Sequence, residues 1–337
     1  MNNKVVIIGA SITGIYTMNE LVKQDYQGRI TIIDQHDGLP YNPYPLTKDW
    51  MQDMDKVEPP LIKKAEYYEK HNIDLRLNTK VVAVDPNKMT VTTDKGDVIS
   101  YDKLVIATGS KLRKISIPND DADGIFYLRP FTSAKEIKAW AKHVKKVAII
   151  GAGFIGLELA STFRQLDKEV SVLVNVGRPL ENILGSDVSD YFVKMHQDHG
   201  VEFFFDEETE TFIKDEQGKV KAILTKNGKT IETDMVIIAI GVVPNLSFDV
   251  EGLDMERGTI IVNEYNETSI DNIYAGGDIV AFPYQERLIH IEHWENAWSQ
   301  GASIAKNILS NRSSKYLVTP YFWTDQYDQT FEYLGNT

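Results

Sequence analysis

The sequence predicts an α/β fold built from two units that each run strand, glycine turn, helix, strand. In residues 145–160, K-K-V-A-I-I-G-A-G-F-I-G-L-E-L-A, a short apolar run suited to a strand buried on both faces leads into Gly151, Gly153 and Gly156. That is the spacing of a dinucleotide-binding turn: the first glycine permits the tight turn, the second lets backbone N–H groups approach a pyrophosphate, and the third lets the next helix pack on the strand. The helix entered at Phe154 and Ile155 then offers its N-terminus to phosphate charge. Residues 4–14 hold the same parts, with Gly9, Ser11 and Gly14 as the turn. Each unit also closes on a buried strand and a small-residue turn, L-V-I-A-T-G at 104–109 and M-V-I-I-A-I-G at 235–241. Residues 1–109 and 145–241 therefore repeat one order of parts, which implies two Rossmann-like domains.

In the first unit, residues 4–8 form the opening strand, a helix runs to about Val22, and residues 29–33 form a second strand. Asp34 follows, about 20 residues after Gly14, where a carboxylate accepts a hydrogen bond from an adenosine ribose. Ser11 replaces the middle glycine with a hydroxyl small enough for close approach. Residues 38–51, G-L-P-Y-N-P-Y-P-L-T-K-D-W-M, read either as a rigid surface loop or as a holder for Lys48. The second reading matters because Glu158 lies in an apolar stretch of the other unit's helix and needs a partner. Residues 61–71 read as a helix, and 75–84, 89–93 and 98–101 as strands separated by Asp-Pro and Asp/Gly turns. The strand at 104–109 ends at Thr108 and Gly109, a turn that backbone-approaching nucleotides use and that many parallel strands also use for packing.

Residues 113–144 pass through Leu128 and Arg129 and a helix at 133–143. The second strand of the later unit, residues 170–174, ends in Val174 where an NAD site would carry an acid, and Asn175 and Arg178 follow. Lacking that acid, the site has no repulsion against a 2′-phosphate, and Arg178 adds positive charge, so NADPH is favoured over NADH. A helix at 184–199 and strands at 201–205, 210–214 and 220–225 lead to the Asn227-Gly228 hairpin signal. Beyond Gly241 the chain reaches N-I-Y-A-G-G-D-I at 272–279, where Asp278 is placed to meet a ribityl or phosphate-side hydroxyl and to begin a helix; a plain helix cap is the bland alternative. A helix carrying Trp294 and Trp298 runs to about Leu309, and residues 319–327, T-P-Y-F-W-T-D-Q-Y, are densely aromatic, a composition commoner in cores than in cofactor walls.

Length and composition set the outer limits. At 337 residues the chain suits two or three domains, and 42% hydrophobic with 25% charged residues is ordinary for a globular protein. No apolar run is long enough to span a membrane and no signal-peptide pattern precedes the first strand, so a cytoplasmic protein is expected. A net charge of -13 argues against nucleic-acid binding. With no cysteine, this chain holds no disulfide relay, thiolate metal site or cysteine nucleophile, and no metal site is expected.

Taken together the motifs resemble the FAD-dependent pyridine nucleotide oxidoreductases, most closely their ferredoxin and rubredoxin reductase branch, to which apoptosis-inducing factor is also similar. The resemblance spans nearly the whole chain and rests on the two glycine turns, P-L-T-K at 45–48, A-T-G at 107–109, G-x-x-P-N at 241–245, Y-A-G-G-D at 274–278 and the terminal P-Y-F-W-T-D-Q-Y. It implies a glutathione-reductase-like architecture: an FAD domain from residues 1–112 and 242–318, an NAD(P)H domain at 113–241, and a C-terminal remnant at 319–337. Carried over by position, Gly9, Ser11, Gly14, Asp34, Lys48, Val82, Thr108, Gly109 and Asp278 would serve FAD. Trp294 and Trp323 would flank the isoalloxazine. Gly151, Gly153, Phe154, Ile155, Gly156, Asn175, Arg178 and Gly241 would serve NAD(P)H, with Phe154 covering the nicotinamide pocket. Lys48 and Glu158 match the family's ion pair beside flavin N5.

The sequence departs from the family in three places. Pro43 stands where an arginine usually nears the FAD pyrophosphate, the redox cysteines are absent, and a C-terminal domain of about 80 residues would begin near Phe331 although the chain ends at Thr337. A shorter chain would leave the flavin more open to an acceptor. The implied activity is hydride transfer from NAD(P)H to flavin, then electron transfer to an external acceptor, a small redox protein such as rubredoxin or ferredoxin. A quinone or ferric chelate is the small-molecule alternative, and a redox-sensitive binding protein is the non-enzymatic one. A homodimer stays open.

Overall fold

The structure, a computed structural model, describes residues 3–310 and 312–335. Two five-stranded parallel sheets organise it. The first runs Ile273–Ala275, Lys103–Ile106, Lys4–Ile8, Arg29–Ile33, Asp74–Arg76; the second runs Val201–Phe205, Glu169–Val174, Lys146–Ile150, Met235–Ile238, Ile125–Phe126. Their central strands are apolar on both faces, as strands sandwiched between layers must be: Val5, Ile7, Val105, Ala148, Ile149 and Ile237 are all fully buried. A three-stranded antiparallel sheet accompanies each, Val81–Asp85 to Val98–Ser100 in the first unit and Thr209–Lys214 to Thr230–Glu232 in the second.

The repeat read from the sequence holds to the level of single hydrogen bonds. Gly9 N–H donates to Ile33 O at 2.8 Å and Gly151 N–H donates to Leu173 O at 3.0 Å. Ala107 N–H meets Ile8 O, and Ala239 N–H meets Ile150 O, both at 2.8 Å. Asp34 and Val174 are thus the equivalent strand-end residues, and Gly109 and Gly241 the equivalent turn glycines, each with positive φ. The chain crosses between the units along an antiparallel ribbon of Ser110–Leu112 and Val242–Pro244.

Several elements depart from the sequence reading. The expected strand at 75–84 is two: Asp74–Arg76 extends the parallel sheet, and after a turn Val81–Asp85 starts the antiparallel one. The expected helix at 184–199 is also two, Glu181–Leu184 and Ser186–Asp198, broken at Gly185, whose φ of +81 no continuous helix tolerates. No helix follows Asp278; the chain turns through Gly277 and enters the strand Val280–Tyr284, whose Val280, Ala281 and Phe282 fill the first unit's core. Phe331, where a further domain would have begun, lies inside a hairpin of Tyr321–Gln326 and Gln329–Leu334, its ring 4.6 Å from Phe192.

Candidate active site where the two units meet

The loop that was ambiguous in the sequence is a holder. Its prolines and the 3-10 turn Tyr44–Thr47 deliver Lys48 to the glycine-turn helix of the second unit, Phe154–Gln165. Lys48 Nζ lies 2.8 Å from Glu158 Oε1, and both side chains are nearly buried. Thr324 Oγ1 donates to the same oxygen at 2.7 Å, and Thr47 Oγ1 donates to Oε2 at 2.5 Å. Three donors from two segments, the Lys48 loop and the C-terminal hairpin, therefore fix one carboxylate, which is what a buried charge requires. Removing the lysine would leave Glu158 charged and under-paired, at a cost of roughly 3–5 kcal/mol for a fully buried pair.

Further bonds pin the loop to the second unit. Thr162 Oγ1 donates to Thr47 O at 2.7 Å. Lys138, on helix Phe131–Ala141, donates to the carbonyls of Trp50, Asp53 and Lys56 and lies over the Trp50 ring. Burial lowers its pKa to about 8, which leaves it charged at neutral pH. Sequence reasoning missed Lys138, since a lysine at helical spacing gives no sign that it is buried.

In the glycine turns, the first and third positions serve the fold. A Cβ on Gly9 would lie 2.2 Å from Ala107 O and one on Gly14 1.9 Å from Gly9 O; on Gly151 it would lie 2.4 Å from Ala239 O and on Gly156 2.2 Å from Gly151 O. Gly153 differs, because a Cβ there meets nothing within 4 Å and its φ of -79 suits any residue. No protein contact explains that glycine, and Ser11 fills the same role with its side chain exposed.

Asp34 is more engaged than the sequence implied. Its carboxylate accepts from Ala10 N–H at 2.6 Å and from the His36 backbone and ring at 2.8 Å each. Burial alone would raise its pKa, but these hydrogen bonds outweigh burial and hold it below the usual carboxylate range, while the bond to Asp34 raises that of His36. Val82 sits at a register shift between Val81 and Ala83 and is largely exposed, so its backbone stands outside the regular ladder. Asp278 accepts from Ser110 Oγ at 2.6 Å and lies 3.6 Å from Arg129; burial nonetheless pushes its pKa up. The two glycines before it are packing residues: a Cβ on Gly277 would lie 2.4 Å from Thr13 Oγ1 and one on Gly276 2.8 Å from Ile304 Cδ1, between helices Ile12–Lys23 and Trp294–Ser310.

Arg129 is the cation that sequence reasoning passed over. It donates to Ser110 O at 2.9 Å and Oγ at 2.8 Å, and its charge bears on both His36 and Asp278. It brings a guanidinium to the first unit's cleft, where Pro43 is exposed and brings none. The only trace in the sequence was an arginine bounded by Leu128 and Pro130.

Trp294 and Trp323 touch each other, centroids 5.9 Å apart and nearly perpendicular, so they form one wall and do not sandwich a ring between them. Phe154 packs on Phe322 at 4.5 Å. Asn175 is exposed, and Arg178 is paired with Asp190 at 2.7 Å, so its charge is partly neutralised before any phosphate arrives. Among the described residues, Thr108 Oγ1 and Trp294 Nε1 are buried with no hydrogen-bond partner. Orphaned polar atoms beside a wall of rings and a glycine opening onto empty space are what a bound dinucleotide cofactor would satisfy.

The family model for pyridine nucleotide-disulphide oxidoreductase matches residues 3–301. The chain is 32% identical to rhodocoxin reductase of Rhodococcus erythropolis, over 99% of this chain and 78% of that protein. It is also 32% identical to the ferredoxin–NAD(+) reductase component of the anthranilate 1,2-dioxygenase system of Burkholderia cepacia, over 98% of this chain and 81% of that one. Among solved structures, that of the covalent putidaredoxin reductase–putidaredoxin complex superposes with a TM-score of 0.93 at 29% identity, covering 99% of this chain and 82% of that chain. With two dinucleotide turns in register, an ion pair joining them and these matches, the chain belongs to the pyridine nucleotide-disulphide oxidoreductase family.

Proposed function

We propose that the chain oxidises NAD(P)H and, through FAD held by the first unit, passes the electrons to a small redox protein such as a rubredoxin or ferredoxin. The observation that carries this reading is the Lys48–Glu158 pair, which sets a fixed positive charge where the two nucleotide units meet. Bound FAD would supply the redox chemistry, accepting a hydride and releasing electrons singly. The residues of the chain do the rest. Gly9, Ser11, Gly14 and the helix behind them receive the FAD pyrophosphate, with Arg129 offering the charge that Pro43 lacks. Asp34 meets the ribose, Val82 offers backbone to the base, Thr108, Gly109 and Asp278 meet the ribityl side, and Trp294 and Trp323 form one wall. Lys48 would set its positive charge against the ring of the bound cofactor, and Glu158 keeps Lys48 oriented.

In the second unit Gly151, Gly153, Ile155, Gly156 and Gly241 receive the pyridine nucleotide, and Phe154 yields its place on Phe322 as the nicotinamide enters. NADPH is the preferred donor. This departs from the NAD(+) in the name of the anthranilate relative and rests on Val174, which presents no carboxylate to the 2′-phosphate, with Asn175 and Arg178 beside it. The proposed domains are residues 1–112 with 242–318 for FAD, 113–241 for the nucleotide and 319–337 as a C-terminal remnant, within which the hairpin of Tyr321–Gln326 and Gln329–Leu334 closes the junction. A cytoplasmic setting belongs to the same reading; no described helix is long and apolar enough to cross a membrane.

Purified protein should carry FAD, and a panel of rubredoxin, ferredoxin, quinone and ferric chelate tests the acceptor. Fast turnover with a redox protein supports the reading. Turnover with quinone or chelate alone would move it to small acceptors, and binding of NADPH with hardly any turnover would point to a redox-sensitive binding protein.

A further inference from the structure

Lys48 is the junction between two short elements, the 3-10 turn Tyr44–Thr47 and the one-turn helix Asp49–Gln52. Elements this short do not hold themselves, so contacts made elsewhere decide where the junction stands. Ahead of it, Thr162 Oγ1 donates to Thr47 O at 2.7 Å and ties the turn to helix Phe154–Gln165. Behind it, Trp50 and Met51 are fully buried, and the Trp50 ring meets that of Phe131 at 5.0 Å. Apolar packing of this kind is not directional. The directional bonds behind the junction come from Lys138.

Lys138 is 4% exposed and stays charged at neutral pH. An ammonium has three N–H groups to give, and Lys138 gives to three carbonyls of one segment: Trp50 O, Asp53 O at 2.9 Å and Lys56 O at 2.8 Å. Its Nζ also stands 3.4 Å from the centroid of the Trp50 ring. Trp50 and Asp53 present carbonyls at the end of the one-turn helix, where a helix cannot satisfy them itself. Lys138 holds a core position of its own helix, Phe131–Ala141, whose other buried residues at helical spacing are Ala134, Ile137 and Ala141. An apolar residue would complete that stripe without the cost of burying a cation. Packing of the helix therefore does not explain the lysine, whereas the fixed course of residues 50–56 does.

We infer that Lys138 is a positioning residue for hydride transfer: it fixes the segment behind Lys48 and thereby sets where the Lys48 ammonium stands. This rests on the reductase reading above. Lys138 acts through the backbone, with Thr162 holding one side of the junction and Lys138 the other, while Glu158 receives the ammonium that they deliver. Placement matters because a shift of about 1 Å caused far from the chemistry can cost on the order of a hundredfold in rate.

The test is a double-mutant cycle between Lys138→Met and Lys48→Met in FAD-loaded protein, read by anaerobic stopped-flow bleaching with NADPH and by the flavin midpoint potential. Lys138→Met should slow bleaching at least about threefold with KM for NADPH within about twofold of the wild type, the pattern of a misplaced group and not of lost binding. It should also move the potential in the same direction as Lys48→Met does. In the Lys48→Met background the Lys138 substitution should change neither quantity, because no ammonium is left to place. Lys138→Arg, which returns the charge and the donors, should recover most of the lost rate, and Lys138→Gln takes the place of Lys138→Met in the cycle if the methionine variant does not fold. Amide hydrogen exchange over residues 49–56, measured without NADPH, should quicken in the neutral variant. Slowing that is as large with Lys48→Met as without it, or a potential that Lys138 substitution leaves unmoved, would overturn the inference while leaving the reductase reading in place. If NADPH fails to bleach the wild type, the reductase reading falls, and the exchange arm decides the clamp: unchanged exchange over residues 49–56 overturns it as well, and quickened exchange supports it.

Discussion

The two nucleotide units share one backbone, and among their differences are the middle residue of the turn and the residue at the strand end. Where the first has Ser11 and Asp34, the second has Gly153 and Val174, although the hydrogen bonds from Gly9 to Ile33 and from Gly151 to Leu173 place these residues equivalently. Among the positions both turns share, Gly9, Gly14, Gly151 and Gly156 are those where a Cβ would be driven into a neighbouring carbonyl. The fold thus dictates the first and third glycines, and the ligand is left to dictate the middle residue and the strand-end residue. That division separates what stability demands from what recognition demands.

The largest effect should come from breaking it on the fold side. Gly14→Ala, whose Cβ would lie 1.9 Å from Gly9 O, should destabilise the protein by about 3 kcal/mol or prevent folding, the upper range for overpacking. Gly153→Ala, which meets nothing, should melt like the wild type yet raise the KM for NADPH. Denaturant midpoints and steady-state kinetics on the two variants check this, and equal destabilisation would erase the distinction between the positions.

The units also differ in how they hold histidine. His36 in the first is partly exposed and paired with Asp34, whereas His196 in the second is fully buried beneath the C-terminal hairpin. Its Nε2 lies 2.7 Å from Gln326 Oε1, its Nδ1 lies 2.9 Å from Tyr327 OH, and Tyr327 stacks on His199 at 3.6 Å. With Nε2–H donating and Nδ1 accepting, these partners suit the neutral ring, and burial lowers its pKa to about 4. The unfolded chain therefore takes up this proton first. The stability contributed by neutral His196 is complete above about pH 6.5 and falls as pH drops toward 4, by about 3 kcal/mol in all. Urea midpoints across that window should decline in the wild type and decline less in His196→Gln; parallel slopes would show that His196 is not the group responsible.

A smaller effect sharpens the comparison at the strand end. Val174→Glu gives the second unit a carboxylate where the first has Asp34, and should shift the kcat/KM ratio of NADPH to NADH toward NADH by at least about tenfold, ~1.4 kcal/mol. An unchanged ratio would mean that the strand-end residue does not set the preference.

The repeated turns and the paired strand-end positions were readable in the sequence because each lies in a motif with a physical reason for its spacing, whereas the Lys48–Glu158 pair was implied by the family resemblance after the residues alone left Lys48 open. The remainder depends on contacts distant in the chain. Arg129 enters the cleft from a connecting segment without periodicity, and Thr324, Gln326 and Tyr327 reach Glu158, His196 and Ser161 only once the hairpin folds back. Asp278 reads in the sequence as placed to meet a cofactor hydroxyl and to begin a helix, but no helix starts there, and the two glycines before it answer to Thr13 and Ile304 across the helix pair, a reason invisible along the chain.

The most direct test of the account is anaerobic stopped-flow of the FAD-loaded wild type and Lys48→Met with NADPH and with NADH, following flavin bleaching. The wild type should bleach fast, and faster with NADPH, while Lys48→Met should retain FAD and bleach at least about tenfold more slowly, ~1.4 kcal/mol in the barrier. Bleaching at the wild-type rate in Lys48→Met would remove the buried ion pair from the chemistry and contradict the central claim.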